Sequence, residues 1–248
     1  MILIAHRGAS WDAPENTVSA VRLAWEQQAD GVEIDVRLTS DQRVVVIHDE
    51  DALRTTGHGI PVRDLTSDDL EPLDAGLWKG PKWQGEHIPF LEEILNEIPS
   101  DRELMLDIKC GSEIIPYLKN ILDRAAVPTL MVGAELDVLK IVCRELPSCP
   151  VYWNVHYMRQ RQDDIGGWSE SLDRVIETAV AASFRGLGLE MERIPRPEEA
   201  RAIHDAGLEI FAWTVDDADT AGALADIGVD RLATNRPEWI REQLKGSG

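Results

Sequence analysis

Cysteine is scarce in this chain of 248 residues: Cys110, Cys143 and Cys149 are the three present. Their number is odd and no two are spaced as metal ligands are. They read as idle thiols in a reducing compartment, and a disulfide framework is excluded. Positive charge is also in short supply. Basic residues number 25 against 45 acidic ones, so the formal net charge is 25 − 45 = −20. Such a balance argues against nonspecific binding of nucleic acid and against docking on an anionic membrane. It sets a condition too: an anionic substrate needs a local cluster of cations, or a metal, to overcome the global field. No stretch reaches the ~18 apolar residues of a membrane span, and the start lacks the basic region, apolar core and cleavage site of a leader. The expectation is a cytoplasmic protein, monomer or homodimer, with no nucleic-acid partner and no stable membrane association.

What is present is a core. Hydrophobic residues make up 44% of the chain, and its length fits one (β/α)₈ barrel of about 250 residues or two smaller α/β domains. Apolar runs at 2–5, 31–36, 44–48, 103–108, 129–132, 151–155, 186–190, 209–214 and 229–234 read as strands. Helical patterns lie between most of them, at 16–29, 91–98, 112–125, 135–146, 172–182, 197–206, 217–226 and 237–244. The best reading is one domain over residues 1–248, an α/β protein with a TIM (β/α)₈ barrel, ahead of an open doubly wound sheet. One strand candidate is surplus to eight, and 151–155 and 229–234 are the weak ones. Only residues 37–43 join the second candidate to the third, too few for a crossover helix. The two make a hairpin, or an extended connector carries the chain back under the barrel. Residues 49–86 are irregular, rich in Gly, Pro and Asp, and carry Trp78 and Trp83. A connection this long is usually functional or mobile. Residues 163–167 read as an exposed loop.

The polar groups fall at strand ends, where α/β proteins build their sites. His6 and Arg7 end the first strand, and Gly8 lets the backbone turn. Glu33 and Asp35 are two apart on the second, so both face one way. His48 ends the third. Asp107 and Lys109 are two apart on the next, Glu190 ends a later strand, and Trp213 lies near the end of another. Acids aimed into an apolar barrel are costly unless paired or coordinated. Glu33, Asp35 and Asp107 therefore make a candidate all-oxygen site for Mg²⁺, with about six ligands, or Ca²⁺, with about 6–8. The competing reading is plain ion pairing with Arg7 and Lys109. Two histidines at strand ends suggest an acid–base pair. Arg7 and Lys109 suit phosphate, one as a planar fork and the other as a point charge. Asn16 caps its helix or supports the site, and Glu15 is a supporting residue. His58, His87, His156 and His204 lack such company and read as surface or loop residues.

Taken together, His6-Arg7-Gly8, Pro14-Glu15-Asn16-Thr17, Glu33-Ile34-Asp35-Val36, His48-Asp49, Ile88-Pro89-Phe90-Leu91-Glu92-Glu93, Asp107-Ile108-Lys109 and Trp213-Thr214-Val215 resemble the glycerophosphodiester phosphodiesterase family, in the family's order. The resemblance implies a phospholipase-C-like barrel, one divalent cation, and hydrolysis of small-molecule glycerophosphodiesters to glycerol 3-phosphate and an alcohol. It makes residues 49–86 an inserted subdomain, after the third strand, that covers the barrel mouth. By motif, Glu33, Asp35 and Asp107 would bind Mg²⁺ or Ca²⁺, His6 and His48 would be the acid–base pair, and Arg7 and Lys109 would hold the phosphate. Trp213 and Glu190 would bind substrate, with Trp78 or Trp83 beside Trp213. Placing His48 by Glu33 and Asp35 favours the parallel connector over the hairpin. The chain departs from the family's usual pattern at Asp107 (usually Glu), Asp216 (usually Asn), Asn235 (usually Asp) and Val132-Gly133 (usually Ser-Phe). A lyase that forms a cyclic phosphate from a lysophospholipid is one alternative; it needs an apolar rim, and no continuous stretch supplies one. A non-catalytic binder of phosphodiesters is the other.

Overall fold

The computed structural model describes residues 1–125, 127–155, 172–191 and 194–246. Strands β1 (Ile2–His6) and β2 (Gly31–Leu38) come first, followed by β3 (Val44–Val46) and the short ribbon of β4 (Asp51–Ala52) and β5 (His58–Pro61). Then come β6 (Glu103–Ile108), β7 (Thr129–Gly133), β8 (Val151–Val155), β9 (Gly186–Glu190), β10 (Glu209–Trp213) and β11 (Arg231–Thr234). Eight of these, β1, β2 and β6 to β11, are parallel and pair in sequence order, and β11 returns to β1 to close a TIM barrel. Helices cover its outside, including α1 (Val18–Glu26) and the last, Pro237–Gly246. Asn16 does not cap α1. Thr17 does, with its side chain accepting from the Ala20 N–H, and the helix runs shorter than 16–29.

The two weak strand candidates are both barrel staves, and the surplus strand is β3. It pairs antiparallel with the end of β2, Val36 opposite Val46 and Leu38 opposite Val44, so the connector expected from the resemblance is a hairpin. The reason is burial. Val44 and Val46 join the large core between barrel and helices, while Val45 and Ile47 join a separate cluster with Ala52, Val62, Leu65, Leu70, Ala75 and Ile88. A strand buried on both faces reads as a continuous β-branched run wherever it sits. The insertion therefore lies between the second and third barrel strands. It is not irregular throughout: it holds its own small core, the β4–β5 ribbon and α2 (Leu53–Thr56).

Inside the barrel the side chains form layers. Ile4, Met105, Leu130, Val132, Tyr152, Phe211 and Ala233 fill the middle. Gly186 makes room there, since a Cβ on it would meet the Tyr152 ring at 2.7 Å. At the floor, Arg231 donates to both carboxylate oxygens of Glu103 at 3.1 Å and to the Tyr152 hydroxyl at 2.7 Å. Glu209 accepts from Arg231 and Tyr152, and its other oxygen faces Arg185 at 2.7 Å. The three cysteines are free and half-buried. Among the described residues no helix is long and apolar enough to cross a membrane. The 163–167 loop and His156 lie outside the described residues.

Candidate active site

Strand parity carries the site residues to the mouth. Ile4 points inward, so His6 does as well. Glu33 is in register with His6 across β1–β2, and Asp35 with Asp107 across β2–β6. Glu33, Asp35 and Asp107 are 3%, 1% and 8% exposed, and one carboxylate oxygen from each lies within 4.8 Å of the others. Arg7 follows with φ 57°, a left-handed turn, and its N–H donates to Glu33 Oε2 at 3.0 Å. Gly8 must be glycine: its φ is 78°, and a Cβ would lie 2.6 Å from the Ala20 backbone. Asn16, also left-handed at φ 57°, donates to Asp35 Oδ2 at 2.8 Å and accepts from the Asp35 N–H.

His48 reaches the site by a route opposite to the expected one. The β2 strand runs past the barrel rim, and the hairpin brings the chain back down. The Ile47 N–H donates to the Asp35 carbonyl at 3.0 Å, which sets His48 at the height of the acids. Its Nδ1 lies 2.7 Å from Asp49 Oδ1. Arg54, on α2, then ties the insertion to the first motif. Its Nε donates to Asp49 at 2.6 Å, and its two terminal nitrogens each donate to Glu15 at 2.8 Å. Glu15 also accepts from Arg7 at 2.8 Å. A continuous chain of charge-assisted bonds thus runs from Arg7 through Glu15 and Arg54 to Asp49 and His48.

The electrostatics separate the acids. Burial pushes Glu33 well above the ordinary carboxylate range, and Asp35 and Asp107 beside it add to the shift. Burial likewise raises Asp107 to about 6, against the pull of Lys109. Burial acts on Asp35 in the same sense, but Arg7 and Lys109 outweigh it and hold that group below its usual value. Arg7 Nε is 3.1 Å from Asp35, and Lys109 Nζ is 2.7 Å from Asp107 and 3.3 Å from Asp35. Ion pairing therefore explains part of the cluster and leaves a remainder. Glu33 Oε1 and Asp35 Oδ1 are buried and accept no hydrogen bond. Three carboxylates against two cations leave one formal negative charge among them; Lys109 stands 3.3 Å from Asp35 Oδ1, and Glu33 Oε1 is bare. That is a donor set suited to a hard divalent cation. Burial and the neighbouring Arg7 lower His6 to about 4, and burial lowers His48.

Two cavities flank the acids. One, of about 460 Å³, is lined by His6, Arg7, Ser10, Trp11, Glu15, Trp78, Lys79 and Asn235. The other, of about 560 Å³, is lined by residues including Asp107, Lys109, Glu135, Asn154 and Trp213. Trp78 and Trp213 therefore face different cavities, and Trp83 lines neither. Glu190 is half-buried and in register with Trp213. His58, His87 and His204 lie away from the acids; His87 pairs with Glu93 and His204 with Asp230. The mouth and the insertion beside it expose more apolar surface than any continuous stretch suggested. Trp11, Leu53, Ile60, Leu77 and Trp78 are all exposed by 41% or more. Trp11 and Trp78 share a cavity, and α2 packs on the turn that holds Leu77.

Several contributors were not singled out by sequence reasoning. Arg54 and Asp49 complete the bridge to His48, and the one sequence cue is that Asp49 follows His48 directly. Asn235 and Asp216, noted separately as departures, are in contact. Asn235 lies 2.8 Å from His6 Nδ1 and donates to Asp216 at 2.6 Å.

Residues 6–239 match the model of the glycerophosphoryl diester phosphodiesterase family. A glycerophosphodiester phosphodiesterase of Bacillus altitudinis is 38% identical over 256 residues, covering 98% of this chain and 99% of that one. One from Caldanaerobacter subterraneus subsp. tengcongensis is 29% identical and covers 100% and 99%. Among solved structures, an Oleispira antarctica phosphodiesterase in complex with the product sn-glycerol-3-phosphate superposes with a TM-score of 0.86 at 28% identity, covering 99% of this chain and 97% of that one.

Proposed function

This chain belongs to the glycerophosphoryl diester phosphodiesterase family, and on that footing we propose that it hydrolyses glycerophosphodiesters to glycerol 3-phosphate and an alcohol at the mouth of its barrel, with one divalent cation. The observation that carries this reading is the inward carboxylate cluster, with two buried oxygens that accept no hydrogen bond, set between two histidines and two cations. Glu33, Asp35 and Asp107 would hold Mg²⁺ or Ca²⁺, and such an ion supplies positive charge to a phosphoryl oxygen and acidity to a nearby hydroxyl.

The rest follows from the chain's own side chains. Arg7 and Lys109 bind the remaining phosphoryl oxygens and spread their charge. His6 faces the acids through Nε2, 3.9 Å from Glu33, while its Nδ1 is engaged by a neutral amide. That arrangement suits a base, which takes the proton from the attacking hydroxyl or water. His48 has a carboxylate, Asp49, on its Nδ1. A carboxylate there supports the charged ring, so His48 is the acid that protonates the leaving alcohol. Glu15 and Asn16 orient Arg7 and Asp35. The two flanking cavities receive the two ends of the diester, with Trp213, and Glu190 near it, on one side. Residues 49–86 cover the mouth on the side of Trp78, where Lys79 Nζ donates to the Ser10 carbonyl at 2.6 Å.

A panel of glycerophosphodiesters assayed for glycerol 3-phosphate release, with Mg²⁺ and Ca²⁺ compared, tests the reading. Release that ceases in excess EDTA and returns with the cation is expected; full activity in EDTA sinks the metal. The exposed apolar surface favours a second reading, in which the same centre forms a cyclic phosphate from a lysophospholipid. Phosphorus NMR of the products separates the two.

A further inference from the structure

His6 is held by a second pair of residues that come from the far end of the chain. Its Nδ1 lies 2.8 Å from Asn235 Oδ1. A carbonyl oxygen only accepts, so Nδ1 must carry the proton, provided the amide is the right way round. Asp216 decides that point. Its Oδ2 receives the Asn235 Nδ2 at 2.6 Å, and its Oδ1 receives the Asn235 backbone N–H at 2.7 Å and the Thr234 hydroxyl at 2.9 Å. Turning the amide over would set two oxygens against each other at that 2.6 Å contact, with no hydrogen between them.

We propose that Asn235 and Asp216 form a positioning pair that fixes His6 as the Nδ1–H tautomer, with its Nε2 lone pair turned to the reaction centre. The proposal rests on the reading of His6 as the acid–base group. Asn235 lines the first cavity beside His6, and Asp216 lines neither cavity. Asn235 acts through His6, and Asp216 acts through Asn235. The division of labour has an electrostatic reason. The mouth already holds three buried carboxylates. A carboxylate directly on His6 would add a fourth negative charge beside them. The amide keeps the hydrogen bond and moves that charge one residue farther away.

The pair is complementary, and this makes it testable by exchange. Asn235→Asp alone sets two carboxylates against each other. Asp216→Asn alone leaves the amide at 235 free to turn. Asn235→Asp together with Asp216→Asn restores one donor and one acceptor at the contact, and again gives His6 Nδ1 an acceptor.

The test is nitrogen-15 NMR of the histidine rings, run beside steady-state kinetics on the full-length protein. The wild type is expected to show neutral His6 with the proton on Nδ1. Asp216→Asn should mix the tautomers and lose kcat by at least about tenfold with KM little changed, whereas Asn235→Asp still offers Nδ1 an acceptor and should keep the tautomer. The exchanged double variant should regain the Nδ1–H tautomer and most of the lost kcat. An Asp216→Asn protein with wild-type tautomer and kcat overturns the proposal. So does a double variant no better than the worse single one. Should either single variant fold poorly, the wild-type and double-variant spectra still decide, because His6 protonated on Nε2 in either one excludes the arrangement. Absence of turnover by the wild type on any glycerophosphodiester would count against the function instead, and the ring signals would still report on the pair.

Discussion

The two ends of the barrel use similar side chains to opposite effect. At the floor, Arg231 and Tyr152 meet Glu103 and Glu209, and each of the four carboxylate oxygens faces a donor or a cation. At the mouth, Lys109 and Arg7 meet Glu33, Asp35 and Asp107, and one buried oxygen, Glu33 Oε1, faces neither a donor nor a cation. Two of the strands, β1 and β6, run from one end to the other through the same apolar layer. The floor is a closed account of charge, so it serves stability. The mouth is an open one and is completed by a guest. An ion pair buried with every hydrogen bond made still adds little over a well-packed apolar core. An uncompensated cluster destabilises the empty protein and favours binding.

The largest expected effect is at the mouth. His6→Ala or His48→Ala should lower turnover at least ~10²-fold while circular dichroism shows a folded protein; near-normal kcat would remove that residue from the pair. Next comes the floor. Arg231→Met leaves Glu103 and Glu209, both half-buried, without the buried guanidinium and should cost about 1–2 kcal/mol in urea unfolding, with kcat per folded molecule unchanged. Equal losses of kcat and stability would erase the distinction between the ends. Glu33→Gln sharpens it from the other side. It removes a charge that burial and two neighbouring acids already oppose, so it should raise the Tm of the metal-free protein by a few degrees, on the order of 1 kcal/mol, and abolish activity.

Acidity gives a smaller and more direct measure. Asp107 stands at about 6 in the folded chain against 3.8 for the free group, and Glu33 is shifted the same way. A raised value means that the folded state holds the proton more tightly. The contribution is therefore fully present below the unfolded value and is lost as pH rises through about 6. His6, lowered to about 4, pulls the other way over this range, so the measure is a difference: the fall in melting temperature of metal-free protein from pH 5 to pH 8 should be larger in the wild type than in Asp107→Asn, and Mg²⁺ or Ca²⁺ should narrow that gap by binding the ionised acids. A gap that the cation leaves untouched would argue against these acids as its ligands. The smallest effect is expected from Asp107→Glu. Its longer arm should alter the ratio of activity with Mg²⁺ to activity with Ca²⁺ more than the best rate with either.

Much of this was legible in the sequence because it follows from alternation. The repeat of strand and helix indicated the barrel, and period-two spacing put Glu33 with Asp35 and Asp107 with Lys109 on inward faces. The errors came where a partner lies outside the local pattern. Residues 44–48 were favoured as a parallel stave over a hairpin because the resemblance sets His48 beside the acids; they are buried on both faces, yet one of those faces belongs to the insertion. Residues 151–155 and 229–234 looked weak because Asn154 and Arg231, polar groups at the two ends of the barrel, interrupt their apolar runs. His48 was placed near the acids correctly and by the wrong route, since a returning strand can reach the rim as well as a rising one. Arg54, and the contact between Asn235 and His6, join residues distant in the chain, and no spacing rule reports such bonds. The exposed apolar surface comes from Trp11 and four separate residues of the insertion, so no window of sequence contains it.

The return of β3 has one more consequence, for how such a chain can change over generations. His48 belongs to the stem of the insertion and is levelled against the barrel by the β2–β3 ladder, which ends in the bond from Ile47 to Asp35. What fixes its height is the burial of Val45 and Ile47, not the number of residues that follow. Loops beyond that stem are free to lengthen, shorten or trade surface chemistry while the distance between the two histidines is conserved. The barrel sets the reaction, and the arm is where a lineage would adapt the reaction to new alcohols.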